Sequence, residues 1–117
     1  MKKWIRGLFD AVDNKDVDAF VSFLTQDASF KFANAPSVHK KENIRQAISQ
    51  FFSVVKALRH NVKDVWECCG VVICEGEVAY TRHDMRQMGF PFVTIFRMKE
   101  GKIADYRIYI DSSSLFT

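Results

Sequence analysis

Gly76-Glu77-Val78-Ala79-Tyr80-Thr81-Arg82-His83-Asp84-Met85-Arg86, then Phe92-Val93-Thr94-Ile95-Phe96-Arg97-Met98, the turn Lys99-Glu100-Gly101-Lys102, and Ile103-Ala104-Asp105-Tyr106-Arg107-Ile108-Tyr109-Ile110-Asp111: this stretch decides the fold. β-Branched and aromatic residues fill each run and Gly-containing segments separate them, which is the pattern of consecutive antiparallel strands. Side chains alternate faces along a strand, so Arg82 and Asp84 are expected on one face and His83 on the other. Charges sharing a face with Val78 and Tyr80 belong either to a solvated surface or to the polar floor of a pocket.

Working back toward the N-terminus, Asn61 to Cys74 reads as a further long strand closed by a turn at Glu75-Gly76, with Cys68-Cys69-Gly70 as a bulge that bends the sheet. A third helix with an apolar stripe of Ile44, Ile48, Phe51, Phe52, Val55 and Leu58 precedes it. Ala33-Asn34-Ala35-Pro36 is a loop, and Ala28 to Phe32 alternates as a short strand. At the start, Trp4, Ile5, Leu8, Phe9 and Val12 recur at helical spacing, Asp13-Asn14-Lys15 stops that helix, and Asp16 starts a second one that ends at Thr25-Gln26-Asp27. The expected fold class is α+β: a strongly curved, cone-shaped mixed or antiparallel sheet with three helices on its concave side, a cystatin-like α+β roll. A cone of this kind can hold a small molecule.

The 117 residues make a single domain, 1–117, with 48% apolar and 26% charged residues, an ordinary globular composition. No apolar run approaches the ~20 residues that cross a bilayer. Arg6, Asp10 and Asp13 interrupt any signal-peptide core, so a cytoplasmic protein is expected. A net charge of +3, spread among acids, gives no argument for nucleic acid. Cys68, Cys69 and Cys74 lack a disulfide framework or zinc-ligand spacing and read as reduced, strand-packing thiols. No metal is expected.

The segments Asn14 to Phe20, Asp27 to Phe30, Phe96 to Ile103 and Asp105-Tyr106-Arg107 resemble the nuclear transport factor 2-like superfamily, in its SnoaL-like branch. Within it, the closer resemblance is to limonene epoxide hydrolase. That family carries Arg-x-Asp on a long strand, aromatic-x-Asp at the end of the last strand and Tyr-x-Asn-x-Pro after the first. The matching residues are Arg82-His83-Asp84, Tyr109-Ile110-Asp111 and Phe32-Ala33-Asn34-Ala35-Pro36, with Phe32 in place of the water-holding Tyr.

The resemblance implies acid-base hydrolysis of an apolar epoxide without metal or organic cofactor. Asp111 would activate water with help from Asn34, Asp84 would protonate the departing oxygen, and Arg82 would hold the two carboxylates. Phe32, Phe51, Tyr80, Phe92, Thr94 and Tyr109 are expected as the substrate pocket. Polyketide cyclase-type isomerisation stays open beside it. Ketosteroid isomerase chemistry would need acids or a tyrosine where Phe32, Leu8 and Thr94 stand, and dehydratase chemistry would need pocket histidines with tyrosines, whereas His83 points away.

A second class of function is a non-catalytic ligand-binding or dimerisation module of the same fold. Then Arg82 and Asp84 form a structural ion pair, Asp111 marks where the last strand leaves the sheet, and Asn34 belongs to a turn. His39-Lys40-Lys41 reads as a solvated loop. Both classes imply a homodimer through the outer sheet face, to which Val93, Ile95, Ile108 and Ile110 are assigned.

Overall fold

Helix α1 (Lys3–Asp13) turns Ile5, Leu8, Phe9 and Ala11 into the interior, as the spacing requires. The structure, a computed structural model, describes residues 1–116. Lys15, with φ 55°, reverses the chain after α1. Asp16 Oδ1 then accepts the Ala19 N–H at 3.1 Å and caps the short helix α2 (Val17–Val21). Strand β1 (Leu24–Phe32) starts earlier than its alternation at Ala28 suggests, because Leu24 is already fully buried. There follow β2 (Val38–His39), α3 (Lys41–Val54), β3 (Ala57–Cys68), β4 (Val71–Thr81), β5 (Gln87–Lys99), β6 (Lys102–Ile110) and a 3-10 turn at Ser113–Phe116.

The strands form one sheet in the order β2-β1-β6-β5-β4-β3, antiparallel throughout except that β1 runs parallel to β6. The three helices share one core with one face of this mixed sheet, so the α+β architecture is as expected. Val72, Cys74, Val78 and Tyr80 of β4, Phe92, Thr94 and Phe96 of β5, and Ile103 and Tyr106 of β6 form the inner face, and all are buried. The ring of Phe96 meets Tyr106 edge-on at 4.7 Å and Trp4 at 5.6 Å, tying α1 to the middle of the sheet.

Two turns lie elsewhere than the sequence suggested. The β3–β4 hairpin reverses at Cys69-Gly70 (φ 55° and 78°), a pair of left-handed residues whose twist suits a two-residue hairpin. Glu75 and Gly76 are mid-strand, and the bulge lies between Val62 and Asp64, opposite Gly76. A Cβ at Gly76 would stand 2.1 Å from the Asn61 carbonyl oxygen, so the glycine allows β3 to approach β4 where the sheet bends. The β4–β5 connection is made at residues 82–86, and Gly89 and Pro91, which lie between the two quoted runs, belong to β5. Pro91 is tolerated because β6 ends at Ile110, opposite Phe92, leaving that side of β5 unpaired at residue 91.

Register also corrects the outer face. Ile108 pairs with Thr94 and Ile110 with Phe92, so both belong to the inner face. The outer face carries Ile73, Val93, Ile95, Arg107 and Tyr109, and Trp66 extends it on β3.

Candidate active site

Between α3, the β1–β2 connection and the inner sheet face lies a cavity of about 200 Å³. Phe20, Phe30, Phe32, Phe51, Phe52, Tyr80 and Tyr106 give it aromatic walls, and Ala35 and Pro36 are the exposed members that mark its mouth. An apolar cavity of ~150 Å³ suffices for benzene, and drug-sized ligands occupy ~300 Å³ or more. The space therefore suits a molecule built around one ring.

A histidine paired with a carboxylate meets this space through its own side of the pair. His60, on the inner face of β3 by the alternation Leu58, His60, Val62, lines the cavity. Its Nδ1 lies 2.6 Å from Oδ1 of Asp13, the last residue of α1, and Asp13 Oδ2 accepts the His60 main-chain N–H at 2.9 Å. A carboxylate only accepts, so Nδ1 is the donor in this contact, and in the neutral ring that leaves Nε2 as the acceptor. The ring is fixed further by edge and tilted contacts to Phe92 and Phe9 at 5.2 Å and 5.0 Å.

Tyr80 and Tyr106 line the same cavity, and neither hydroxyl has a hydrogen-bond partner among the described residues. No polar atom is sealed away without a partner there, which places these hydroxyls on the cavity surface. Burial above all, with the Asp13 charge adding to it, holds both phenols well above the ordinary tyrosine range. They therefore remain protonated donors. The cavity thus combines a carboxylate-oriented imidazole, two neutral hydroxyl donors and apolar walls, which is a set of groups for moving protons on a small apolar molecule.

The residues singled out from the sequence lie as follows. Phe32, Phe51 and Tyr80 line the cavity; Phe92 and Thr94 are buried in the core beside it, and Tyr109 is exposed on the outer face. Arg82 and Asp84 do meet, with Nη2 3.3 Å from Oδ2, but beyond the end of β4 and with Asp84 half-exposed. There Asp84 accepts the Arg86 N–H at 3.1 Å, and Arg82 Nη1 donates to the Leu115 carbonyl at 3.4 Å. Asp111 is exposed and accepts from the Ser113 N–H and hydroxyl at 3.3 Å and 2.8 Å. Asn34 is exposed in its turn, and none of these four side chains lines the cavity. His83 meets the Ser53 carbonyl at 2.9 Å through Nε2. Among the described residues, no group of three or more His, Cys, Asp or Glu could hold a metal ion.

His60, Asp13 and Tyr106 were not read as site residues from the sequence. The available signal was parity: His60 shares its face with Leu58 and Val62, and Tyr106 pairs with the buried Phe96.

Solved structures share this fold at low identity. An NTF2-like protein of unknown function from Burkholderia pseudomallei is 14% identical with TM-score 0.87, covering 95% of this chain and 90% of that one. A Jannaschia protein named as a SnoaL-like polyketide cyclase is 17% identical with TM-score 0.83, covering 97% and 86%. An LEH-like epoxide hydrolase from M. tuberculosis is 16% identical with TM-score 0.80, covering 96% and 83%. A comparison with curated proteins gave no match. The SnoaL-like domain family matches residues 5–106, from within α1 to within β6, and the chain belongs to that family.

Proposed function

We propose that the protein is a cofactor-independent acid-base enzyme acting on a small apolar molecule of one ring, with His60 as the proton acceptor. The observation that carries this reading is the His60–Asp13 pair at the wall of an otherwise aromatic cavity. Asp13 fixes the tautomer and steadies the imidazolium once a proton is taken, while Tyr80 and Tyr106 donate to the oxygen on which negative charge develops. Epoxide opening fits these parts: Nε2 takes a proton from the attacking water, and a phenol supports the departing oxygen. Cyclase-type proton abstraction needs the same parts without the water. The name of the M. tuberculosis neighbour supports the first and that of the Jannaschia neighbour the second.

The test is turnover of a panel of single-ring epoxides and enolisable ketones. Removing a general acid or base usually costs ~10²–10⁴-fold, and His60→Gln is expected to lose activity on that scale while Asp84→Asn and Asp111→Asn keep it. The reverse pattern would favour the Asp84–Arg82–Asp111 assignment. Ligand retention without turnover in the unmodified protein would leave a binding module.

Two coarser elements belong to the same proposal. A second copy covers the outer face around Ile73, Val93, Ile95, Trp66 and Tyr109, whose apolar centre favours burial. A reducing, cytoplasmic setting suits three free cysteines, two of them exposed. Among the described residues no helix is long and apolar enough to cross a membrane.

A further inference from the structure

We infer that Cys68 and Cys69, at the tip of the β3–β4 hairpin, form a two-thiol chelating site for a trivalent, thiol-seeking centre of the organic arsenical class. Free cysteines are among the residues most often buried, and Cys74 behaves so: it is fully buried, and burial pushes its thiol up to about 11. Cys68 and Cys69 do the opposite. Both are exposed, and their sulfurs stand 3.3 Å apart.

The turn does not demand a thiol. Glu100-Gly101 makes the β5–β6 turn with φ 52° and 81°, nearly the values at Cys69-Gly70, so the same backbone is built with a carboxylate side chain in the cysteine's place. The sulfur separation also narrows the chemistry. It is more than an ångström beyond the ~2.05 Å of a disulfide. It matches two bonds of ~2.3 Å, the usual thiolate–metal length, meeting near a right angle, as bonds do at a pyramidal trivalent centre. A tetrahedral zinc site needs four ligands, and among the described residues no third His, Cys, Asp or Glu joins this pair. A centre that brings its own third substituent needs only two.

The step balances without an oxidant. An arsine oxide, R–As=O, reacts with the two thiols; both S–H bonds break, two As–S bonds form, and the oxygen leaves as water with the two protons. Arsenic stays trivalent.

The full chain, reduced, is titrated with phenylarsine oxide and followed by native mass spectrometry and by counting free thiols. One equivalent is expected to bind with loss of two thiols, and dithiothreitol should strip it where an equal concentration of a monothiol does not. Linking two attachment points multiplies affinity by ~10²–10⁴, so Cys68→Ser and Cys69→Ser should each weaken binding on that scale and Cys74→Ser should leave it unchanged. Wild-type affinity in either hairpin variant, or loss in Cys74→Ser, overturns the site. Neither result bears on His60, whose activity is read separately.

Discussion

Asp13 holds His60 twice, through the imidazole Nδ1 at 2.6 Å and through the main-chain N–H at 2.9 Å, so one carboxylate at the end of α1 sets both the ring and the strand that carries it. Asp13→Asn should therefore do more than remove a charge. An amide can offer its N–H to Nδ1, which would draw the proton onto Nε2 and spoil the base. Turnover of the best substrate is expected to fall ~10²-fold or more, while the thermal midpoint falls modestly. Unchanged turnover would remove Asp13 from the catalytic set.

Ala47 lines the cavity from α3 with a side chain that leaves room. Ala47→Phe should fill much of the about 200 Å³ and abolish binding of a single-ring ligand while the fold survives. Ligand titration by calorimetry, with circular dichroism as control, checks this; full affinity in the variant would move the ligand elsewhere.

Gly76 and Gly89 offer a paired test of strand approach. A Cβ at Gly76 meets the Asn61 oxygen at 2.1 Å and Val62 Cα at 2.9 Å, whereas one at Gly89 meets nothing within 4 Å. Gly76→Ala should cost at least about 2 kcal/mol, since the β3 backbone at Asn61 and Val62 must move. Gly89→Ala should be near neutral. Urea denaturation of the two variants decides, and equal stabilities would refute the close approach.

Asp105 gives the acid limb a defined sign. Burial raises its carboxyl, but the Ser29 hydroxyl, the Arg107 contact and the Arg97 charge outweigh burial and leave it below its ordinary value. A lowered carboxyl stabilises the fold above the unfolded value of ~3.9 and loses that contribution as pH falls through the lower folded value. Asp105→Asn should flatten stability against pH below ~4 while changing little of its slope at neutral pH. A slope like that of the parent protein would show that other acids govern this limb.

Much of the sheet was legible because its strands state their alternation plainly, as Val72, Cys74, Val78 and Tyr80 do on β4. The turns were less so. Cys69-Gly70 and Glu75-Gly76 are both turn-like pairs, and only the steric demand of Asn61 against Gly76 distinguishes them. The same alternation, carried past Thr81, put Arg82 and Asp84 in line with Tyr80, but β4 ends at Thr81 and the chain there serves a turn. Asp13 was read as the stop of a helix, which it is; that its carboxylate reaches a histidine 47 residues away depends on how α1 lies across β3, which no local pattern states.

The parallel pairing of β1 with β6 brings Phe30 beside Tyr106 and Phe32 beside Ile108, although most of the chain lies between them. All four of these side chains line the cavity. Contacts of such sequence separation form late and slow the search for the native state. On a ribosome, the helices and the β3–β4 hairpin can assemble early, but the chamber acquires its last wall only after Lys102–Ile110 has emerged. Competence to bind a ligand therefore arrives with the final strand.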